Sequence, residues 1–276
     1  MFLRKVYSRL LRFYTETCWK KLRRKKPAYH YIGDVSRPVI LYRISDKGRN
    51  KMRPEWFSRE KCLLNAICQF PKSKCDWIIV GNSIEDTTYN WLQQVAPFAR
   101  IIRAEEKNAA DSFRFAFNTI CTLPEDKLVY MIEDDYVHRK GSLAALQEIF
   151  SSGEADYVTL YDHPDKYGYG VDNPYVTGGE KTKVFLTATS HWKYSVSTTM
   201  TMAAFVHTFR KDKNVFMRWS CGGRLGDSPI FFELLNFRNR KLLLPIPSFS
   251  THSQKPHVAK LVDWEMVINN SEETRE

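Results

Sequence analysis

Short all-apolar runs alternate along the chain with stretches in which apolar residues recur every three or four positions. Val39 to Ile44, Trp77 to Val80, Ala99 to Arg103 and Leu128 to Ile132 read as strands, the last buried on both faces. Between them, Ser58 to Phe70, Asp86 to Val95 and Asp111 to Ile120 read as helices. Strands alternating with helices predict βαβ units, hence an α/β fold with a mostly parallel central sheet flanked by helices. Further on, Ser142 to Phe150 reads as a helix with Ser142 as its N-cap and Gly153 beyond its end. Tyr157 to Tyr161, Val184 to Ala188 and Ser197 to Val206 read as strands, the last two flanking His191-Trp192. Pro229 to Phe237 reads as a helix, and Leu242 to Ile246 as a final strand before Thr251-His252. The segment from Asp162 to Lys183 is rich in Gly, Pro, Asp and Tyr, and its length marks a functional or mobile loop.

The N-terminal segment breaks this rhythm. Phe2, Leu3, Val6, Tyr7, Leu10, Leu11 and Tyr14 have helical spacing, with Arg4, Lys5, Arg9 and Arg12 between them. Residues 1–26 hold ten basic side chains against the single acid Glu16, so they carry nine of the net +11 charges. The high isoelectric point therefore describes this segment and says nothing about a site in the rest. A basic amphipathic helix suits an anionic membrane surface; a helix packed on the domain ranks second and nucleic acid third. No apolar run approaches the ~20 residues of a membrane span.

We read 27–37 as a linker, 38–262 as one globular domain, and 263–276 as a disordered acidic tail that includes Asn269-Asn270-Ser271. Seven Trp and fourteen Tyr exclude a disordered chain. Six cysteines without a C-x-x-C pair read as reduced thiols, which favours a cytoplasmic setting, peripheral on a membrane surface.

The candidate chemistry sits at the end of the Leu128 to Ile132 strand, where Glu133, Asp134 and Asp135 follow without interruption. Ligands of open α/β sheets bind beyond the carboxyl ends of the strands, where these three emerge. Adjacent carboxylates repel one another unless something cationic sits among them. A divalent ion with oxygen ligands, Mn²⁺ or Mg²⁺, is the natural candidate. Asp227, at the head of the Pro229 to Phe237 helix behind a glycine-rich approach, is either a general base or a helix cap.

The order of these features resembles the nucleotide-sugar-dependent glycosyltransferases of the A-type, Rossmann-like fold, in particular the large inverting family. Glu133-Asp134-Asp135 falls where that family has its D-x-D motif, and Asp227 where it has a second acidic motif. Asn82 closes the second strand where an acidic residue is usual, and Asn108 is similar to the family's N-x-G stretch. The first strand ends in Arg43-Ile44-Ser45-Asp46 instead of P-x-Y-N, and Gly226 replaces a Glu, so the resemblance names no donor nucleotide.

The resemblance implies a metal-dependent sugar transfer to an acceptor hydroxyl, with inversion. It implies Asp135, Glu133 and His252 as metal ligands, with His257 the rival of His252. Asp134, Asp46, Asn82, Asn108 and Lys255 would contact the donor, Asp227 would be the base, and His191 and Trp192 would meet the acceptor. The expected partners are a nucleoside diphosphate sugar, a glycan or lipid-linked acceptor and an anionic membrane, with no nucleic acid. The rival readings are a nucleotidyltransferase using the same carboxylate–metal site, and a non-enzyme that binds membrane or nucleic acid through its basic segment.

Overall fold

The computed structural model describes residues 31–47, 51–168, 179–223 and 225–273; the expected basic helix over 1–26 lies outside them. Four strands form one half of the main sheet: β1 (Asp34–Ser45), β2 (Asp76–Asn82), β3 (Arg100–Ala104) and β4 (Lys127–Glu133). They are joined by α1 (Arg59–Gln69), α2 (Asp86–Val95) and α3 (Ala109–Ile120), and all lie parallel in the order β3-β2-β1-β4. This is the expected βαβ layout.

After β4 come β5 (Tyr136–His138), α4 (Ser142–Ser151), β6 (Tyr157–Val158), β7 (Val184–Leu186) and β8 (His191–Tyr194). Then follow β9 (Met202–Phe205), α5 (Val206–Trp219), α6 (Asp227–Phe237), β10 (Leu242–Ile246), β11 (Ser250–His252) and α7 (Trp264–Glu273). The sheet continues from β4 through β9-β6-β10-β8-β7 with mixed direction, β9 lying antiparallel between β4 and β6. β5 and β11 form a separate antiparallel ribbon.

Alternation along β1 and β4 explains the layers. Ile40, Tyr42, Leu128, Tyr130 and Ile132 face one core with Leu63, Ala66, Leu146 and Ile149 of α1 and α4. Val39, Leu41, Val129 and Met131 face a second core with Phe113, Phe117, Phe209 and Phe216 of α3 and α5. A strand buried on both faces reads as the unbroken apolar run seen in the sequence.

Several expectations are corrected. β1 begins at Asp34, which pairs with Lys127, so part of the expected linker 27–37 belongs to the sheet. The N-cap of α4 is Gly141 at φ 91°, a left-handed position suited to glycine. Ser142 instead donates its hydroxyl to the carbonyls of Arg139 and Phe249. The run Ser197 to Val206 contributes only the four residues of β9, because Val206 already opens α5. Residues 264–273 of the expected disordered tail form α7, since Trp264 and Ile268 share one helical face and bury it in the core. No helix among the described residues is long and apolar enough to cross a membrane.

A buried ionic knot ties the second half of the sheet to α5. Arg240 grips both oxygens of Asp212 at 2.8 and 3.2 Å and reaches Asp156 at 3.2 Å, while Tyr157 donates to Asp212. Both carboxylates are almost wholly inaccessible. Removing one partner of such a group leaves charge buried and uncompensated. Arg240→Met is expected to lower the unfolding free energy by roughly 3–5 kcal/mol, read by chemical denaturation.

Candidate functional site

Strand register gathers the site. In the parallel pairs Arg43 lies beside Glu133 and Ser45 beside Asn82, so the carboxyl ends of β1, β2 and β4 finish together. The acidic turn leaves β4 there and passes directly into β5. The β5–β11 ribbon sets His252 opposite Tyr136, and the two rings stack at 5.1 Å with planes 3° apart. Asp135 accepts the Ser253 N–H on its own carbonyl at 2.7 Å, which fixes the corner. His252 Nε2 thereby lies 3.0 Å from Asp135 Oδ2.

Each carboxylate of the turn has a cation from another element. Glu133 pairs with Arg43 Nη1 at 2.7 Å. Asp134 accepts the Ser45 N–H at 3.1 Å and faces Arg59 at 3.9 Å. Asp135 Oδ2 receives Lys51 Nζ at 2.8 Å and Arg53 Nη1 at 2.9 Å, in addition to His252. Asp135 Oδ1 is buried and has no hydrogen-bond partner among the described residues.

These contacts divide the two aspartates. Burial pushes the Asp135 carboxyl up, but the hydrogen bond to His252 and the Lys51 ammonium outweigh it and hold the group below the usual carboxylate range. Burial also pushes Asp134 up, and with the charge of Asp135 beside it the group reaches about 7.

The remaining expected site residues divide as well. Asp46 belongs to the cluster: it accepts from Glu85 N–H and Thr88 Oγ1 at the start of α2 and lies 3.8 Å from Arg59. Asn82 clamps the backbone of Glu106, and Asn108 caps α3 by accepting from the Ala110 and Asp111 N–H groups. Both side chains are thus engaged by local backbone. Consecutive left-handed glycines, Gly222 at φ 60° and Gly223 at φ 74°, turn the chain past Asn108.

Asp227 is the first residue of α6, with Gly226 as the cap, and its Oδ1 accepts its neighbour's N–H, from Ser228. Its carboxyl lies above the ordinary value because burial dominates and the charge of Glu133 adds to it, against the pull of the Ser228 N–H and Lys166. A helix N-terminus favours the ionised form, but burial outweighs it here.

Lys255 is exposed, with its N–H on the Met52 carbonyl. His191 is exposed on β8, three strands beyond β4's neighbour β9. Trp192 is fully buried and donates its ring N–H to Thr187, a core position that presents no face to an acceptor. His257 stacks beside His252 at 6.3 Å, and its ligand atom lies within 4.8 Å of those of His163 and Asp165.

Sequence reasoning missed the counter-cations. Arg43 was visible, since an arginine inside the apolar run Val39 to Ile44 needs a buried acid. Lys51, Arg53 and Arg59 carried no signal, because basic residues in a polar stretch read as solvated. It also missed the buried group of Lys166, Lys193, Asp162 and Glu180, where Lys193 pairs with Asp162 at 3.1 Å and with Glu180 at 3.5 Å.

A parallel β3-β2-β1-β4 half-sheet, an acidic turn at its strand ends and an antiparallel continuation through β9 make up the A-type glycosyltransferase fold. Among solved structures the chain is similar to GalNAc-T7 with UDP, GalNAc and Mn²⁺: TM-score 0.53, 10% identity, over 78% of this chain and 43% of that one. It is also similar to S. aureus TarS 1-349: TM-score 0.46, 12% identity, over 75% of this chain and 57% of that one. The chain thus spans about half the length of these structures. No protein-family model and no curated protein matches the sequence.

The elevated Asp134 has a measurable consequence. A carboxyl whose folded pKa exceeds its unfolded value near 3.8 adds stability at low pH and loses it as pH rises through about 7. The metal-free protein is therefore expected to be less stable at pH 8 than at pH 5. Asp134→Asn, which keeps an acceptor for the Ser45 N–H, should shrink that difference by at least about 1 kcal/mol in denaturant unfolding.

Proposed function

We propose that this chain transfers a sugar from a nucleoside diphosphate sugar to an acceptor hydroxyl, with inversion at the transferred carbon. The observation that carries the reading is the convergence of Asp134, Asp135 and His252 at the carboxyl ends of parallel strands, ringed by Lys51, Arg53 and Arg59. Cations around an acidic turn suit a ligand that brings its own negative charge, and a diphosphate is such a ligand.

The donor set fits a divalent ion. Asp135 Oδ1 is a buried acceptor without a partner among the described residues, and His252 Nε2 lies beside Oδ2 of the same carboxylate. Those two residues would hold the ion, with Glu133 left to Arg43. When bound, the ion supplies Lewis-acid stabilisation of the charge that grows on the leaving diphosphate.

The chain's own residues do the rest. Arg59 and Lys51 present cations toward the same charge. Asp227 takes the proton of the acceptor hydroxyl: with its pKa raised by burial it is a stronger base than a solvated aspartate. Glu133, whose charge reaches Asp227, sustains that basicity.

A positioned base contributes roughly 10² to 10⁴ in rate. Asp227→Asn is expected to keep the melting temperature and donor affinity of the parent and to lower nucleoside diphosphate release at least about a hundredfold. Undiminished turnover would remove the base assignment. A product with the donor's anomeric configuration, read by NMR, would remove inversion. Release of pyrophosphate in place of a nucleoside diphosphate would favour nucleotidyl transfer.

We further propose that residues 1–26 dock on anionic membrane and that the acceptor is lipid-linked or membrane-proximal, on the strength of that segment's charge and apolar spacing. Co-sedimentation with anionic liposomes should weaken as the Debye length falls from ~10 Å at 0.1 M salt to ~3 Å at 1 M. It should be lost on deleting 1–26.

A further inference from the structure

Lys51 stands against the two residues that the preceding reading gives to a metal ion. Its Nζ is 2.8 Å from Asp135 Oδ2 and 3.3 Å from His252 Nε2, and those two atoms are 3.0 Å apart. We propose that Lys51 is the resident counter-cation of the Asp135–His252 pair, and that a divalent ion enters only by displacing its ammonium. The inference rests on the assignment of Asp135 and His252 as the ion's ligands.

Position makes the two cations exclusive. The ammonium lies against both Asp135 Oδ2 and His252 Nε2, in the space that an ion held by these two residues would need. Charge acts in the same direction. A dication held by Asp135 and His252 would lie within a few ångströms of the ammonium, in a buried site where salt screens poorly.

Arg53 does not compete in this way. Its guanidinium is held by the Ser253 carbonyl at 2.8 Å and lies 4.3 Å over the Phe57 ring, so it stays as a fixed neighbour of Oδ2. The Met52 carbonyl accepts the Lys255 N–H at 2.9 Å, which ties the backbone of this segment to the loop after β11. Lys51 is therefore free to move only in its side chain, a flexible four-carbon stem that is 26% exposed. Turned outward, its ammonium remains at the mouth of the site, where the leaving diphosphate arrives. Entry of the ion and release of a phosphate-binding ammonium become one event.

The test is Mn²⁺ binding to the full chain without nucleotide, followed by loss of the free-ion EPR signal. Lys51→Met keeps the length of the stem and removes the charge. It is expected to bind Mn²⁺ at least about tenfold more tightly than the parent. Lys51→Gln, a neutral polar replacement, should behave alike and serves if the Met variant fails to fold. Equal or weaker affinity in a folded variant overturns the proposal, as does absence of Mn²⁺ binding in both parent and variants. A parallel titration with a panel of nucleoside diphosphates separates the two readings. Tighter Mn²⁺ binding without any nucleotide binding leaves the lysine proposal standing and removes the transferase one. Nucleotide binding with unchanged Mn²⁺ affinity does the reverse.

Discussion

Neutralising three successive carboxylates is the constraint on which this edge of the sheet depends. Two unit charges 4 Å apart repel by about 4 kcal/mol at the effective dielectric of a protein surface, so an unaccompanied Glu-Asp-Asp turn would consume much of a domain's net stability. The protein answers with Arg43 on Glu133, Arg59 facing Asp134, and Lys51, Arg53 and His252 on a single oxygen of Asp135. The crowding on Oδ2 leaves Oδ1 without a partner among the described residues, so the carboxylate is satisfied on one side alone.

Geometry and titration follow from the same arrangement. Because Asp135 holds most of the cationic partners, it keeps its charge, and Asp134 beside it is driven toward protonation. Two adjacent aspartates thus acquire opposite characters from their surroundings alone. Asp227 is pushed upward by a third route, burial at the head of α6 with the charge of Glu133 nearby.

Much of the scaffold was legible in the chain and much of the site was not, for different physical reasons. β10 and α2 coincide with Leu242 to Ile246 and Asp86 to Val95 because each is a clean apolar period bounded by polar punctuation. α5 escaped notice because Arg210, Lys211 and Lys213 interrupt its apolar face of Val206, Phe209, Val215 and Phe216. Trp264 and Ile268, with half-buried Val267 beside them, dock α7, too few to stand out in an acidic segment. The acidic turn and His252 were readable because a buried strand aims one and a strand end carries the other. Asn82 and Asn108 look like ligand contacts in sequence but serve the backbone, and Trp192 serves the core. The counter-cations Lys51, Arg53 and Arg59 could not be read, since nothing local distinguishes a basic residue that reaches a buried acid from one that does not.

The ribbon of β5 and β11 joins segments made far apart in time. Asp135 meets Lys51 across 84 residues of earlier chain and His252 across 117 residues of later chain. During synthesis the acidic turn therefore emerges when Lys51, Arg53 and Arg59 are already present and His252 is not. α7, which packs on α1 and β5, arrives later still. Of the partners of Asp135, Lys51 and Arg53 precede it in the chain, and His252 on the last strand completes the set.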